Sequence, residues 1–276
     1  MEVHRRRYLV TSFLEIHYMI MAIIMPFQLV PDPIILLTGL TFQRFSNGRN
    51  MADIIAQLLG FDNSIPSFAS ARGQEILKGV NYASGAAGIR DESGQHLTLY
   101  NYGARKVAVF GLGLIGCTPG MIAMYGTNGS SCVDFINNAV QLFNAKLIPM
   151  VDDFNSNLQN AKFIYINSVQ ISLTPSPTTE FKVTDAPCCN VTNAVSFQCN
   201  PLGTPCQNRE DYTFWDAVHP TEASNVISAG RSYNALLPSD TYPFDIRRLA
   251  ETVISMESNL SIYQQLKKEF EFEFLI

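Results

Sequence analysis

An aspartate and a histidine three residues apart offer the clearest chemistry in this sequence. Asp216 and His219 lie in the segment WDAVHP. A carboxylate at this spacing can hold one imidazole nitrogen, which fixes the tautomer and stabilises the imidazolium formed when the other nitrogen takes a proton. The pair therefore indicates the base half of a hydrolytic site. Two alternatives stay open: a surface turn with an incidental histidine, and a metal-binding pair, for which the sequence has no obvious co-ligands.

The elements that must position this pair alternate between helices and strands from Phe45 onward. Apolar residues recur with helical spacing over 50–59, and the apolar runs over 105–110 and 161–166 predict buried strands. The other predicted elements are a strand over 79–83 that enters a glycine-rich turn over 84–88, and a long helical segment over 133–154. The helices are long enough for crossover connections, so we predict an α/β fold with a parallel sheet covered by helices.

The glycine run GLGLIG over 111–116 follows a predicted strand and has the spacing of a dinucleotide-binding fingerprint, with Asp134 18 residues beyond the last glycine. Such a fingerprint needs a helix that opens on the glycines. Pro119 and Gly120 fall where its first turns would run, and a proline there removes a backbone donor and clashes with the preceding turn. We therefore interpret the run as a tight turn rather than as an NAD site.

The composition is typical of a globular chain of enzyme size. Of the 276 residues, 47% are hydrophobic and 16% are charged, and the formal net charge is −5, which excludes disorder as the main state. Lysines and arginines are scattered along the sequence and form no basic stripe that could bind a phosphate backbone. No nucleic-acid partner is expected, and the sequence does not indicate an oligomeric state.

Six cysteines, all between Cys117 and Cys206, indicate an oxidising compartment. None has the C-x-x-C spacing of a structural zinc site, and an even count beside three Asn-x-Ser/Thr sequons favours the secretory route. The sequons begin at Asn128, Asn190 and Asn259. Residues 174–210 are rich in Pro, Asn, Thr and Cys, which predicts an irregular loop held by disulfides; Cys117 and Cys132 are a reasonable local pair.

The amino terminus has only some features of a secretory signal. Arginines at 5–7 precede an apolar stretch, but Glu15 and His17 interrupt it before the apolar run over 18–27. That run is too short for a helix that crosses a bilayer and contains Pro26, so membrane insertion is not expected. A second apolar run over 34–37 is either a short buried strand or sequence outside the fold.

Eight segments between about Phe45 and Leu249 follow one another in a specific order. They are RFSNGRNMADIIAQLLGF, GVNYASGAAGIRDESGQ, YNYGARKVAVFGLGLIGC, CVDFINNAVQLFNAKL, AKFIYIN, VTDAPCC, TPCQNREDYTFWDAVHPTEASNVI and YPFDIRRLA. In wording and order they resemble the plant GDSL-type esterase/lipases of the SGNH hydrolase superfamily. In that family the glycine run is a strand and turn without a nucleotide role.

The resemblance implies a three-layer α/β/α fold, secretion, and hydrolysis of carboxylic esters, with a small ester or a lipid as substrate. His219 matches the family's general base and Asp216 the carboxylate that orients it. Gly88 is our choice for the oxyanion-hole glycine, with Gly85 as the alternative. The resemblance implies neither a metal nor an organic cofactor.

Two blocks of the family pattern are absent from this sequence: GDS, which supplies the nucleophilic serine before RFSNGR, and G-x-N-D, whose asparagine completes the oxyanion hole. No nucleophile is identified here. Ser84 lacks the glycine two positions earlier that a nucleophile elbow requires, and Ser46 and Ser12 lie in unrelated settings. A base alone activates nothing unless a hydroxyl is positioned against the ester carbon.

These gaps divide the chain into three regions. Residues 1–42 form an atypical apolar segment, 43–250 a hydrolase domain with a deletion near 95–99, and 251–276 a tail outside the family. Both missing blocks belong to interior strands, so the sheet is expected to be incomplete or to recruit a substitute such as 34–37. The chain is then an ester hydrolase, a non-catalytic secreted relative that binds acyl or glycan groups, or the product of a misjoined or spliced gene that does not fold stably.

Overall fold

Among the residues that the structure describes, five strands form one sheet. The computed structural model describes residues 10–15, 19–21, 46–61, 66, 104–174, 181–191, 197, 199–200 and 202–254. Its strands are β1 (Val10–Glu15), β2 (Met19–Met21), β3 (Lys106–Phe110), β4 (Lys162–Ile166) and β7 (Thr241–Tyr242), in the spatial order β2-β1-β3-β4-β7. The strands predicted over 105–110 and 161–166 are thereby confirmed.

The centre of this sheet is parallel and its edges are antiparallel. β3 pairs in parallel with both β1 and β4, so that Val107 lies between Val10 and Phe163. β2 and β7 run antiparallel to their neighbours. All five residues of β3 are buried, which is the environment that a continuous apolar run predicts for a central strand. The prediction of a parallel sheet is therefore right for the three central strands and wrong for the two outer ones.

The strand that covers the second edge of β3 differs from the one suggested by the sequence. The suggested substitute was the run over 34–37, which lies outside the described residues. In the structure the segment Val10–Glu15 occupies this edge, with Ser12 opposite Val109. Alternation and apolar content describe a strand but not its partner, so the sequence could not choose between two short candidates.

Helices pack on both faces of the sheet. They are α1 (Met51–Leu58), α2 (Pro119–Tyr125), α3 (Asp134–Asn144), α4 (Leu147–Asn157), α5 (Ser168–Leu173), α6 (Glu222–Tyr233) and α7 (Ile246–Glu251). Alternate residues of β3 and β4 point to opposite faces, as the period of a strand requires. One face buries Phe110 and Ile164 with apolar residues of α1, α6 and α7, and the other buries Val109 and Phe163 with those of α4.

The first helix follows the sequence prediction closely. Asn50 caps α1, because its side chain accepts a hydrogen bond from the Asp53 amide while the Asp53 carboxylate accepts one from the Asn50 amide. Beyond the helix, Gly60 has φ +89°, a left-handed conformation that glycine adopts without strain. The helix buries Ile54 and Ile55 against the sheet.

Proline explains how two helices differ from what the sequence suggested, and one prediction, that of a single long helix, is wrong. The segment 133–154 contains two helices, α3 and α4, because Pro149 has no amide proton for the carbonyl of Ala145 and its ring would clash there. Pro119, expected to prevent a helix from opening on the glycine run, begins α2 three residues beyond the last glycine of that run, with Thr118 as the N-cap. At that first position a missing N–H costs nothing, and the proline φ already suits a helix.

A small two-stranded sheet lies beside the main one. β5 (Val183–Pro187) pairs in parallel with β6 (Tyr212–Phe214). Three disulfides, Cys117–Cys132, Cys188–Cys206 and Cys189–Cys199, join all six cysteines. The expected local pair is thus confirmed. The loop predicted over 174–210 is held by disulfides but also contains β5.

Within the described ranges, no helix is long and apolar enough to cross a membrane. The predicted strand over 79–83, the glycine-rich turn after it and the tail over 251–276 lie outside the described residues, apart from the first four residues of the tail.

A buried ion pair joins α6 to the turn before β7. The Arg231 Nε donates to Asp240 Oδ2 at 3.1 Å, and both side chains are almost completely buried. The same carboxylate accepts the backbone amides of Leu236 and Leu237, and the guanidinium also donates to the carbonyls of Ile171 and Thr174. The pair therefore connects α5, α6 and β7 in one polar network.

Replacing Arg231 tests how far this network supports the fold. In Arg231→Met the Asp240 carboxylate stays buried without its cation, so we expect the free energy of unfolding to fall by about 3–5 kcal/mol in urea denaturation. Arg247→Met, on the exposed side of α7, is the matched control and should change it by about 0.5 kcal/mol or less. Equal losses in the two variants would contradict the prediction.

Candidate active site

The segment that contains Asp216 and His219 is a closed turn between β6 and α6. Phe214 and Pro220 form a bridge across its base, and the Trp215 amide donates to the His219 carbonyl at 2.8 Å. Thr221 follows, and its hydroxyl donates to the Tyr212 carbonyl and accepts from the Ser224 amide as the N-cap of α6. A strand end and a helix start thus fix both ends of the turn.

The Asp216 carboxylate organises the interior of this turn. Its Oδ2 lies 2.8 Å from His219 Nδ1, and its Oδ1 accepts the amides of Val218 at 2.9 Å and of His219 at 2.7 Å. The Asp216 side chain is 3% exposed and the His219 side chain is 13% exposed. An ionised carboxylate only accepts hydrogen bonds, so this contact assigns a proton to Nδ1.

The turn also rests on α2. The Gly120 amide donates to the Ala217 carbonyl at 2.8 Å, and the Ala217 amide donates to the Phe197 carbonyl at 3.1 Å. A Cβ at Gly120 would lie 2.6 Å from the Phe197 ring and 3.1 Å from the Ala217 oxygen. Glycine is required here because the backbone and a ring approach it closely, in a helix where alanine would otherwise be preferred.

A segment far away in sequence packs against the exit of the turn. The Ser46 hydroxyl donates to the Pro220 carbonyl at 3.1 Å, and Asn47 Oδ1 accepts the Glu222 amide at 2.7 Å. Arg49 pairs with the Glu222 carboxylate at 2.5 Å. By its sequence, Ser46 lies in an unrelated setting. In the structure it contacts Pro220, the residue that follows His219, and its hydroxyl donates to the carbonyl of that residue. A contact across 174 positions leaves no local signal in a single sequence.

Two disulfides support the opposite side of the turn. The amides of Cys188 and Cys189 donate to the carbonyls of Phe214 and Trp215 at 3.0 and 2.9 Å, and the two cysteines are bonded to Cys206 and Cys199. The Arg209 guanidinium lies 5.5 Å from the centre of the Trp215 ring, a cation–π distance. The loop predicted to be irregular thus positions the backbone just before Asp216.

The glycine run is used for close packing. A Cβ at Gly111 would lie 2.7 Å from the Tyr165 hydroxyl, and one at Gly116 would lie 2.4 Å from a backbone oxygen. The amides of Leu112 and Gly116 donate to the side chains of Asn144 and Asn137. These amides, which would face a pyrophosphate in a dinucleotide site, have protein partners. Burial raises the pKa of Tyr165 to about 12, so the phenol beside the run stays neutral.

The remaining site predictions fall on other parts of the chain. Gly88, Gly85 and Ser84 lie outside the described residues, and Ser12 lies within β1. In the described part of the chain, no three His, Cys, Asp or Glu side chains converge in a way that could hold a metal. Of the predicted site residues, the structure therefore brings together Asp216 and His219.

The α/β sheet carries, on the loop before a late helix, a carboxylate–imidazole pair of the kind that acts as a base in hydrolases. A profile of the family described as GDSL-like Lipase/Acylhydrolase matches residues 93–231. GDSL esterase/lipase At1g29670 of Arabidopsis thaliana is 38% identical over 294 residues, covering 75% of this chain and 81% of the relative. GDSL esterase/lipase At5g45670 of the same plant is 36% identical over 293 residues, with the same coverage. The chain belongs to the plant GDSL esterase/lipase family.

The lengths of these matches differ between the two partners. The match to the first relative spans 294 residues, whereas 75% of this 276-residue chain is about 207 residues, so about 87 aligned positions of the relative have no counterpart here. These positions are counted within the alignment, so the difference lies inside the matched region.

Substituting Gly120 tests the support that α2 gives to the turn. Gly120→Ala forces its Cβ against Phe197 and the Ala217 carbonyl, so we expect the free energy of unfolding to fall by about 1–3 kcal/mol in urea denaturation. Gly113→Ala is the matched control, because nothing lies within 4 Å of a Cβ there and the backbone of Gly113 does not have a positive φ. A stable Gly120→Ala protein would show that the close approach is not needed.

Proposed function

We propose that this chain is a serine ester hydrolase of its family reduced to the base half of its catalytic machinery, so that it turns over carboxylic esters little faster than background. The observation that carries the proposal is the hydrogen bond of 2.8 Å between Asp216 Oδ2 and His219 Nδ1. It is supported by the family membership and by the burial of both side chains.

In the proposed division of labour, His219 is the general base and Asp216 the residue that positions it. Asp216 holds the imidazole through Nδ1, so that Nε2 takes the proton of an attacking hydroxyl and later gives it to the leaving alcohol. The negative carboxylate stabilises the imidazolium between these steps. The two backbone amides on Oδ1 hold the carboxylate in its rotamer. Gly88 is proposed to donate its amide to the oxyanion.

The acyl-transfer half of the machinery is proposed to be lost with an internal segment. Neither GDS nor G-x-N-D occurs in this sequence, and the unmatched positions of the relative leave room for strands and loops that bear such blocks. The loss of one oxyanion-hole donor alone costs roughly 3–4 kcal/mol of transition-state stabilisation. Without the serine no acyl-enzyme can form either, so the covalent step of the family's chemistry is lost.

The proposed layout follows the sequence boundaries. Residues 43–250 are the remnant of a three-layer hydrolase domain with interior strands missing near 95–99, and 1–42 and 251–276 are additions to it. The pairing of β1 with β3 supports the view that an added segment fills part of the gap. The three disulfides support a secretory route, since such bonds persist in oxidising compartments.

Restoring the missing blocks tests this proposal directly. Two proteins are compared: this chain, and a chimera that also carries the segments of GDSL esterase/lipase At1g29670 that align with no residue of this chain. We expect a fluorophosphonate probe to label only the chimera, and only the chimera to hydrolyse short-chain p-nitrophenyl esters. In the chimera, His219→Ala should lower kcat roughly 10⁶-fold, as loss of the histidine does in triad hydrolases.

The outcomes of these experiments distinguish an active enzyme, a non-catalytic binding relative and a misjoined product. Labelling of the unmodified chain that His219→Ala abolishes would overturn the proposed loss of activity. Hydrolysis by the chimera that survives His219→Ala would overturn the role of His219. A cooperative melt of the unlabelled chain, with binding of an ester or glycan, would identify a binding relative. Aggregates without such a melt would identify a misjoined product.

A further inference from the structure

The loop between α2 and α3 presents the sequon Asn128-Gly129-Ser130. Asn128 has φ +51°, and the glycines on either side of it, Gly126 and Gly129, have φ +67° and +89°. These left-handed conformations turn the chain sharply outward, and asparagine adopts them more readily than other residues with a side chain. Asn128 thus stands at the tip of an exposed turn.

The acceptor amide at this tip is accessible. Asn128 is exposed, and none of the described residues accepts a hydrogen bond from its side chain or donates one to it. Ser130, the third residue of the sequon, is held by its amide on the Thr127 carbonyl and by its hydroxyl on Asp134. A modifying enzyme can therefore reach the Asn128 Nδ2 from solvent without opening the fold.

The two other sequons lack this combination. Asn190 is exposed but directly follows the disulfide-bonded Cys189, and its carbonyl accepts the Asn200 amide at 2.7 Å. The next residue, Val191, is bridged to Cys199, so this segment is fixed on both sides. Asn259 lies outside the described residues. The contrast makes Asn190 a matched internal control for Asn128.

Exposed aromatic rings lie beside the Asn128 turn. Tyr125 and Phe135 meet edge to face with their centroids 5.4 Å apart, and they are 53% and 61% exposed. Met124, next to them, is 41% exposed. Exposed aromatic rings can pack against the C–H faces of a sugar. Tyr125 precedes the acceptor asparagine by three residues, which places this patch within reach of the first sugars.

We propose that Asn128 carries an N-linked glycan whose first sugars cover the Tyr125–Phe135 pair. A lipid-pyrophosphate-linked oligosaccharide is the donor. Nδ2 forms a bond to the anomeric carbon, the bond from that carbon to the pyrophosphate oxygen breaks, and the lipid pyrophosphate leaves with the electron pair. The amide loses one proton to a base of the transferase. The proposal rests on the secretory route proposed above but not on any esterase activity.

Occupancy of the site is measured on the full chain placed behind a cleavable secretory leader in plant cells. Enzymatic deglycosylation in ¹⁸O-water marks each formerly glycosylated asparagine, and peptide mass spectrometry reads the mark. We expect Asn128 to be marked in most molecules and Asn190 in few. Asn128→Gln should abolish the corresponding mobility shift, Ser130→Thr should retain it, and Asn190→Gln should leave it unchanged.

Because the added leader exports the protein in any case, it allows glycosylation of Asn128 to be tested independently of the native secretory route. An unmarked Asn128 in the exported protein overturns the proposal while leaving the secretory route intact. A marked Asn128 with the leader, and none with the chain's own amino terminus, supports the site and rejects the native route.

Coverage of the rings is measured by retention on a hydrophobic-interaction column. Asn128→Gln should increase retention, and the increase should shrink when Tyr125 and Phe135 are both replaced by serine. An undiminished increase would reject coverage of the rings.

Discussion

A single buried carboxylate organises the candidate site. Asp216 sits almost out of reach of water, and a charge in such a place needs compensation on every side. The turn supplies it within four residues, by two amides on one oxygen and an imidazole on the other. The strand before the turn, the helix after it, the glycine of α2 and the segment over 46–50 all act on the backbone of this turn. Together they hold the two amides and the imidazole at hydrogen-bonding distance from the Asp216 carboxylate.

The sequence could predict those features whose causes are local. The Asp–His pair depends on a spacing of three, β3 and β4 on apolar runs, and α1 on a cap and a terminal glycine. The features it could not predict have distant causes. Ser46 meets Pro220 across 174 positions, and the partner of β3 is a segment about a hundred residues earlier in the chain. The division of 133–154 had a local cause in Pro149, which helical periodicity alone does not weigh.

The fold and the nucleophile block of the family are separable in this molecule. The described sheet, its two helix layers and the turn of Asp216 and His219 belong to a hydrolase family, yet the family's nucleophile block is absent from the sequence. The glycine run over 111–116 is the opposite case, because there the motif is present. It has the spacing of a nucleotide site, but two of its glycines, Gly111 and Gly116, are explained by Tyr165 and the backbone at Val133, which leave no space for a Cβ. In both cases the partners of each residue, rather than the motif, decide its role.

The three disulfides close short stretches of chain, with separations of 15, 18 and 10 residues. None of them joins two strands of the central sheet. Each can form as soon as its own segment has emerged during synthesis, before the last helices exist, because closing such short loops costs little entropy. Formation of the disulfides therefore does not require the central sheet to be assembled first.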